Sequence, residues 1–432
     1  MKNRKALALI AILALVAAAC GGSDGGSDEA VVEVETTEAP ATTEAPTTTA
    51  APAAASDPLI LASLMPLSGD LASLGPGIAL GAALAVEQIN AAGGINGQPV
   101  QLIEGDSGCD GAVALTSLND VIAQGAQGVM GAACSGTSLA ILDTAIAAEV
   151  VMVSPSNTSP QFTKIDKKGF YARTAPSDLL QGDVLASLLV EDGVQTVSII
   201  SRADSYGRGL AEATAAAFEA AGGTVKTIVY HATDASEFTS EVTAVGKGGA
   251  DAIVGILFPE TGCGVLQPAF EQGLLDTPWY MTDGVKDAGL ASLCGLGTAL
   301  DGFKGTAPGS AAGEAKDAFE AAYAEVSADG SPTFIFAPQA YDAVMLMAIS
   351  AAANGVTGPE IASGLVAASS GGEKCIGVAC IALAADGVDV DYVGASGEIE
   401  LDAVGDPTAA TYDIWTTEGD TNPVLKSVDF GS

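Results

Sequence analysis

The chain has 432 residues, of which 53 are acidic and 16 basic, and its formal net charge is −37. A surface this acidic is repelled by the phosphates of nucleic acids and of anionic lipids, which excludes binding to either as the main function. Because a single hydrophobic core seldom grows beyond about 250–300 residues, a chain of this length predicts two lobes.

The first twenty residues have the pattern of an export signal. A basic start precedes an apolar run from Ala6 to Val16, and three alanines then lead to Cys20. The run is too short for a membrane-spanning helix. We therefore predict a lipoprotein signal peptide over residues 1–20, cleaved before Cys20, whose thiol then carries lipid. Because this motif usually has leucine where the chain has Ala17, an ordinary signal peptide cut nearby is the alternative.

Residues 21–56 are rich in Gly, Thr, Pro, Ala and Glu, and they contain the unit Thr-Thr-Glu-Ala-Pro twice. The segment has almost no large apolar side chains, so burial cannot offset the entropy lost on ordering. We expect a disordered tether, extended by about 3 Å per residue where proline is frequent.

After the tether, apolar runs alternate with segments of helical periodicity. The first run predicts a buried strand, and the helix after it has apolar residues at a 3.6-residue period and ends in a glycine-rich turn. In chain order we predict strand 58–64, helix 76–92, strand 99–104, helix 111–123, strand 128–130, helix 138–148 and strand 150–154. This alternation predicts a parallel sheet with helices on both faces.

A second alternating set follows. We predict helix 183–191, strand 196–201, helix 207–221, strand 225–230, helix 235–247, strand 252–257, helix 264–272 and strand 279–282. Two later helices, over 314–325 and 338–353, must attach to one of the lobes. The predicted fold class is α/β, with two doubly wound parallel-sheet lobes.

Six cysteines remain besides Cys20, and an exported chain permits disulfides. Six cysteines allow fifteen pairings. The simplest scheme joins neighbours: Cys109 with Cys134, Cys263 with Cys294, and Cys375 with Cys380. No pair has CxxC spacing, so the sequence gives no indication of a zinc site or of a thioredoxin-like motif.

Ligands of open parallel sheets bind beyond the carboxyl ends of the strands. The predicted strands bring four loops there: residues 65–75, 132–138, 154–159 and 282–285. The second and third loops are rich in Ser and Thr and lead towards a helix, where free N–H groups and hydroxyls form a site for a carboxylate. For either loop alone, plain helix capping is the alternative. Two such loops on adjacent strands favour a binding site.

The second lobe offers a different chemistry. Asp283 follows a strand, where it could hold an ammonium group, although turn aspartates are common. Tyr206 and Phe258 follow other strands of the same lobe, and Tyr206 could cover a ligand. Tyr341 lies early in a late helix, where a place in the core is the alternative to a place in the site. One lobe therefore offers hydrogen-bond donors for an anion, and the other offers an acidic group with aromatic side chains. Together they suit a zwitterion such as an amino acid.

Five short motifs occur in the order in which one known protein family has them. They are Met-Pro-Leu-Ser-Gly at 65–69, the turn at 89–97, Ser-Pro at 154–155, Thr-Ser-Pro at 158–160 and Asp-Ser-Tyr-Gly at 204–207. In this set the chain resembles the branched-chain amino acid binding proteins of ABC transporters, a type I periplasmic-binding-protein family. Cys109 and Cys134 stand where family members have a disulfide, so the resemblance implies that these two cysteines pair.

The resemblance also implies roles for residues of the first lobe. Ser135 and Thr158 would bind the ligand's carboxylate with their hydroxyl and N–H groups. Asn157 would offer backbone contacts, and Ser156 would belong to the same binding loop.

In the second lobe, the resemblance implies that Tyr206 closes over the ligand. Asp283 stands where leucine-binding members use a glutamate for the α-ammonium group, so the charge is kept but displaced by one methylene. Leu74 stands where those members have an aromatic residue, and Phe258 where they have a tyrosine. The pocket for the ligand's side chain is therefore not assigned. Urea, short amides and aromatic acids remain alternatives to an amino acid, because family members bind those too.

The family fold implies three crossings between the lobes, which we expect near Ala175, Thr306 and Tyr392. Lobe one would then hold residues 57–175 and 307–391, and lobe two residues 176–306 and 392–432. Hinge closure would trap the ligand, and the protein would deliver it to a membrane permease and its ATPase. The resemblance implies no cofactor and no metal.

Two other functions are alternatives to a transport receptor. A hydrolase with a Ser-His-Asp site would need His231, the only histidine, which we expect at the surface; the folded part also lacks a GxSxG elbow, an HExxH motif and a Walker loop. A sensory ectodomain that reports ligand occupancy to a partner kinase would have the same fold as the transport receptor.

Overall fold

The structure is a computed structural model, and it describes residues 57–430. The predicted signal peptide, residues 1–20 with Cys20, and the predicted tether, residues 21–56, lie outside this range. Within residues 57–430, none of the helices is both long enough and apolar enough to cross a membrane.

The first sheet has five parallel strands in the order β2-β1-β3-β4-β5. Its strands are β1 (Ile60–Met65), β2 (Gln101–Asp106), β3 (Gly128–Gly131), β4 (Val151–Ser154) and β5 (Tyr171–Arg173). Its helices are α1 (Gly75–Ala91), α2 (Gly111–Ala123), α3 (Ser135–Ala147) and the short α4 (Gln161–Lys164). The predicted parallel sheet is confirmed, and β5 is an edge strand that the sequence analysis did not predict.

The second sheet has seven strands in the order β15-β14-β10-β9-β8-β6-β7. Its strands are β6 (Thr196–Arg202), β7 (Thr224–His231), β8 (Ala252–Ile256), β9 (Trp279–Met281), β10 (Lys304–Pro308), β14 (Ala410–Thr416) and β15 (Val424–Phe430). Its helices are α5 (Asp178–Glu191), α6 (Ser205–Ala220), α7 (Thr239–Gly246), α8 (Pro259–Glu271) and α9 (Leu290–Leu293). Strands β6 to β10 are parallel, whereas β14 and β15 add an antiparallel edge.

The late helices belong to the first lobe. They are α10 (Glu314–Val326), α11 (Ala337–Asn354), α12 (Gly358–Ala368) and α13 (Ala379–Ala385), accompanied by a small sheet of β11 (Glu373–Ile376), β12 (Val390–Gly394) and β13 (Gly397–Glu398). Helix α11 is buried along nearly its whole length and packs against α1. Most of its residues are apolar, which is typical of a helix enclosed by other elements, although Gln339, Asp342 and Ser350 are buried with them.

We propose that three short segments connect the lobes: residues 174–177, 309–313 and 402–409. The first segment lies between β5 and α5, and the second between β10 and α10. Ile399 and Leu401, however, are buried in the same core as α1 and α11, so they pack with the first lobe. We therefore propose that the third crossing lies at 402–409 instead of near Tyr392, which is itself buried in that core.

The structure contains three disulfides, and they join neighbouring cysteines as in the simplest scheme. The Cα–Cα distances are 5.6 Å for Cys109–Cys134, 4.9 Å for Cys263–Cys294 and 5.3 Å for Cys375–Cys380. The first disulfide ties the start of α3 to the segment before α2.

The expectation that His231 is a surface residue is wrong. Its side chain is fully buried at the end of β7, where its ring lies 4.8 Å from the ring of Phe238. Burial lowers the pKa of His231, because the charged imidazolium is poorly solvated there.

Candidate ligand-binding site

A cavity of about 230 Å³ lies between the two lobes, beyond the carboxyl ends of strands from both sheets. This is the location that the topology of parallel sheets favours for a ligand. Six of the eight predicted ligand-binding residues line it: Leu74, Ser135, Ser156, Tyr206, Phe258 and Asp283.

The first-lobe wall contains the N-terminus of α3. Cys134 precedes the helix and provides no side-chain cap, so the first N–H groups of α3, at Ser135, Gly136 and Thr137, have no acceptor there. These three residues line the cavity. Free N–H groups at the positive end of a helix dipole favour an anion such as a carboxylate. The helix start at Ser138 that the sequence predicts is one turn too late, because α3 begins at Ser135.

Side chains of the loop after β4 hold it against the loop after β3. Ser156 donates its hydroxyl hydrogen bond to the carbonyl oxygen of Ala133 at 3.0 Å, and Asn157 donates its amide to the same oxygen at 2.8 Å. Ser135 Oγ accepts a weaker hydrogen bond, of 3.4 Å, from the N–H of Ser159. The two polar loops therefore form one unit, as expected for neighbouring strands.

Asn157 and Thr158 are buried beneath this unit and do not line the cavity. The carboxamide oxygen of Asn157 also accepts a hydrogen bond of 3.0 Å from the hydroxyl of Tyr171. Both polar atoms of this side chain therefore form hydrogen bonds within the first lobe. The hydroxyl of Thr158 has no hydrogen-bond partner among residues 57–430. Contact of either residue with a ligand stays a prediction.

The second-lobe wall places Asp283 just after β9. Its carboxylate accepts hydrogen bonds from the amide of Gln181 at 2.8 Å and from the hydroxyl of Tyr206 at 2.9 Å. Burial raises the pKa of Asp283, although these two hydrogen bonds act in the opposite direction. Tyr206 also lies 3.1 Å from the hydroxyl of Thr282, so its ring is fixed at the cavity wall.

Asp178 is a residue that the sequence analysis missed. It begins α5, is fully buried, and has no hydrogen-bond partner for either carboxylate oxygen among residues 57–430. Burial, and then the nearby charge of Asp283, raise its pKa well above the ordinary value. Its N–H donates to the carbonyl oxygen of Thr158 at 2.8 Å, so it lies beside the binding loop of the other lobe.

The signal that could have located Asp178 is Ser177, which caps α5 after Pro176. A serine directly before the first helical residue marks a helix start. The apolar pattern of the sequence predicts the start at Asp183, which leaves Asp178 in the preceding loop.

Besides the charged side chains of Asp70, Asp110, Arg202 and Asp204, apolar and aromatic side chains line the cavity. The rings of Tyr206 and Phe258 lie 5.5 Å apart, and Leu74, Phe336 and the Cys109–Cys134 disulfide complete this surface. Such a surface accepts a hydrophobic or mixed side chain. Within residues 57–430, no cluster of His, Cys, Asp or Glu has the arrangement of a metal site.

The loop after β1 contacts the second lobe directly. Asp70 forms an ion pair with Arg202, which is also paired with Asp204. Ser73 donates a hydrogen bond of 2.7 Å to the carboxylate of Glu260. The two lobes therefore meet through polar contacts at the edge of the cavity.

A model of the periplasmic binding protein family matches residues 58–374, and the chain belongs to this family. Two lobes with a ligand cavity between them define a solute-binding protein, and the fold is that of the type I members.

Curated relatives are consistent with this assignment. An amino acid binding protein from Pseudomonas aeruginosa is 34% identical over 238 residues, which is 53% of this chain and 62% of the relative. The chain therefore matches less than two thirds of that relative's length. A leucine-, isoleucine-, valine-, threonine- and alanine-binding protein of the same organism is 29% identical over 68% of this chain and 78% of its own length.

Solved structures support the fold. The branched-chain amino acid transporter substrate-binding protein LivJ from Streptococcus pneumoniae, in complex with isoleucine, aligns with a TM-score of 0.72 at 23% identity and covers 87% of this chain and 100% of its own. A solute-binding protein of an ABC transporter from Rhodopseudomonas palustris, in complex with p-hydroxybenzoic acid, aligns with a TM-score of 0.73 at 19% identity and covers 87% of this chain and 98% of its own. At these identities the likeness concerns the fold alone.

Proposed function

We propose that this protein captures an α-amino acid between its lobes and delivers it to the permease of an ABC importer. The observation that carries this proposal is the polarity of the cavity. The N-terminus of α3 presents anion-binding N–H groups on one wall, and Asp283 presents a carboxylate on the other. A zwitterion matches both walls at once.

The carboxylate of the ligand would bind at the α3 N-terminus. Ser135 contributes a hydroxyl beside the free N–H groups, and hydrogen bonds to a charged acceptor are stronger than those to a neutral one. The loop that contains Ser156 and Thr158 lies against the same helix start. We assign both residues to the carboxylate half of the site.

The ammonium group would bind at Asp283, which lines the cavity, with Asp178 buried nearby but not on the cavity wall. Neither carboxylate takes part in an ion pair within residues 57–430, and an isolated buried charge is costly. A ligand cation would compensate the charges of both carboxylates. Because neither carboxylate has a cationic partner among residues 57–430, this compensation would favour binding of a charged ligand.

The same argument ranks the alternative ligands. An aromatic acid such as p-hydroxybenzoic acid, bound by the Rhodopseudomonas palustris protein, has no cation to place beside Asp283 and Asp178. A branched-chain amino acid such as the isoleucine of the Streptococcus pneumoniae complex has one. Leu74 and Phe258 suit an apolar side chain but do not select one amino acid.

Lipid anchoring through Cys20 is part of the proposal. A tether over residues 21–56 would hold the receptor close to its permease and raise the effective concentration for delivery. In cells, Cys20→Ser should move the protein from the membrane fraction to the soluble exported fraction. A Cys20→Ser protein that stays in the membrane fraction would argue against the anchor.

A signalling role remains the alternative to delivery of the ligand. Genes for a permease and an ATPase beside the gene of this protein would favour transport.

A thermal-shift screen of residues 56–432 tests ligand capture. The panel holds the common amino acids, urea, short amides and aromatic acids. A ligand at about 100 times its dissociation constant stabilises a protein by about 2.7 kcal/mol, which raises the melting temperature by a few degrees. We expect shifts from α-amino acids. Shifts only from compounds without an ammonium group would contradict the role given to Asp283.

A further inference from the structure

Arg173, at the end of β5, is fully buried and does not line the cavity. A guanidinium group has five N–H donors in a fixed planar fork. Two of the hydrogen bonds go to the ligand loop, because Nη1 donates to the carbonyl oxygens of Asn157 and Ser159, both at 3.0 Å. These carbonyls belong to the residues on either side of Thr158.

The remaining donors are used on the opposite side of the guanidinium. Nε donates to Asp406 Oδ1 at 3.0 Å, and Nη2 donates to Asp406 Oδ2 at 2.7 Å and to Thr163 Oγ1 at 3.1 Å. Asp406 lies in the third segment between the lobes. The backbone joins the two as well, since the N–H of Arg173 donates to the carbonyl oxygen of Gly405 at 3.0 Å.

The contact with the carbonyl oxygen of Asn157 fixes the direction of a nearby N–H group. In a trans peptide, the C=O of one residue and the N–H of the next point in opposite directions. Because Arg173 holds the carbonyl of Asn157, the N–H of Thr158 must point away from the guanidinium. No acceptor for this N–H is found among residues 57–430.

We propose that Arg173 is a positioning residue for the ligand's carboxylate and that Asp406 fixes Arg173 in this role. This inference rests on the proposed function, because it concerns the loop assigned to the carboxylate. Arg173 orients the peptide groups around Thr158 without touching the ligand. Through Asp406, the shape of this loop is joined to a segment that connects the lobes.

Arg173→Lys tests the proposal because lysine keeps the charge but has no planar fork. A lysine cannot donate to both loop carbonyls and to both oxygens of Asp406 at once. Asn90→Ala is the matched control. The side chain of Asn90 also makes two backbone hydrogen bonds, to the N–H and the carbonyl of Val100 at 2.7 and 2.9 Å, and it is remote from the cavity lining.

Two measurements are made on residues 56–432. The first is hydrogen exchange of the peptide 154–164 without ligand, and the second is calorimetric titration with L-leucine or with the α-amino acid of largest thermal shift. We expect Arg173→Lys to speed exchange in this peptide and to weaken binding by tenfold or more. Asp406→Asn should act in the same direction. Asn90→Ala should lower the melting temperature and leave both readouts unchanged.

Affinity within twofold of wild type in Arg173→Lys, or unchanged exchange at 154–164, would overturn the proposal. An equal loss of affinity in Asn90→Ala would also overturn it, because the effect would then follow from general destabilisation. If the proposed function were wrong, the result would be a different one, because no α-amino acid would bind the wild-type protein. The exchange measurement, made without ligand, would still decide whether Arg173 holds the loop.

Discussion

The hydroxyl of Tyr206 donates a hydrogen bond of 2.9 Å to the carboxylate of Asp283, and both side chains line the cavity between the lobes. The two residues come from different elements, α6 and the turn after β9. Gln181, from α5, donates to the same carboxylate oxygen as Tyr206. Three elements of the second lobe therefore fix the position of one acidic group, as the proposed ammonium site requires.

Tyr206→Phe should weaken amino acid binding by about tenfold, because a hydrogen bond to a charged group contributes about 1.5–3 kcal/mol. The ring and its contact with Phe258 are kept. Calorimetric titration measures the effect. Tyr280→Phe is the control: Tyr280 donates a similar hydrogen bond, of 2.6 Å, to Asp192 in the same lobe but does not line the cavity. A loss of affinity in both variants would speak against a specific role for Tyr206.

Binding should strengthen as the pH rises. Burial raises the pKa of both Asp283 and Asp178, and a ligand ammonium group favours their charged forms. The affinity should therefore increase as the pH rises from the ordinary value of 3.8 through the raised pKa values, and then level off. The contribution of these two carboxyls to the stability of the unliganded protein should change in the opposite sense, because a raised pKa in the folded state gives stability that is lost as the pH rises through it.

Titrations from about pH 4 to 8 test this dependence. In Asp283→Asn the affinity should be low and its pH dependence reduced. An affinity that falls with rising pH in the wild-type protein would contradict the placement of the ammonium group.

The Cys109–Cys134 disulfide should matter for both stability and binding. Its sequence separation is 25 residues, and that of Cys263–Cys294 is 31. In the chain-entropy model, loss of either stabilises the unfolded state by about 3.5 kcal/mol. Only the first pair lines the cavity, next to the α3 N-terminus. The double variant Cys109→Ala/Cys134→Ala should therefore also lose affinity.

The matched control is Cys263→Ala/Cys294→Ala, which should lower stability by a similar amount and leave affinity unchanged. Urea unfolding and calorimetric titration give the two quantities. Equal effects of both double variants on affinity would show that binding follows stability alone.

The ion pair between Asp70 and Arg202 should slow ligand release. The side chain of Arg202 is 1% exposed, and the pair joins the two lobes. Asp70→Asn should therefore speed dissociation by about tenfold, since charge-assisted hydrogen bonds in partly buried sites contribute about 1.5–3 kcal/mol. Asp166→Asn is the control, because the Asp166–Lys168 pair is exposed and lies within one lobe. Stopped-flow dissociation rates that are equal in Asp70→Asn and wild type would contradict a contribution of this pair to closure.

Much of the fold follows from local sequence pattern. The predicted bounds of α2, residues 111–123, are those of the structure, because Asp110 caps the helix with hydrogen bonds to the N–H groups of Ala112 and Val113. The alternation of buried strands and helices likewise predicts both parallel sheets, and the four loops predicted beyond their carboxyl ends contain Leu74, Ser135, Ser156 and Asp283 of the cavity wall.

What the pattern missed depends on tertiary contacts. Strand β15 is mostly exposed, so its sequence lacks the apolar run of a buried strand, and pairing with β14 gives it its conformation. His231 is buried because Phe238 packs against it, which no local pattern indicates. Arg173 and Asp406 are separated by 233 residues, so only the folded chain brings them together at the ligand loop.

The most direct test of an amino acid receptor compares one ligand with two analogues that each lack one charge. For leucine these are 4-methylpentanoic acid, which lacks the ammonium group, and 3-methylbutylamine, which lacks the carboxylate. Calorimetric titration of residues 56–432 should give the tightest binding for the zwitterion and at least a hundredfold weaker binding for each analogue. Binding of the deaminated acid as tightly as the amino acid would contradict the account.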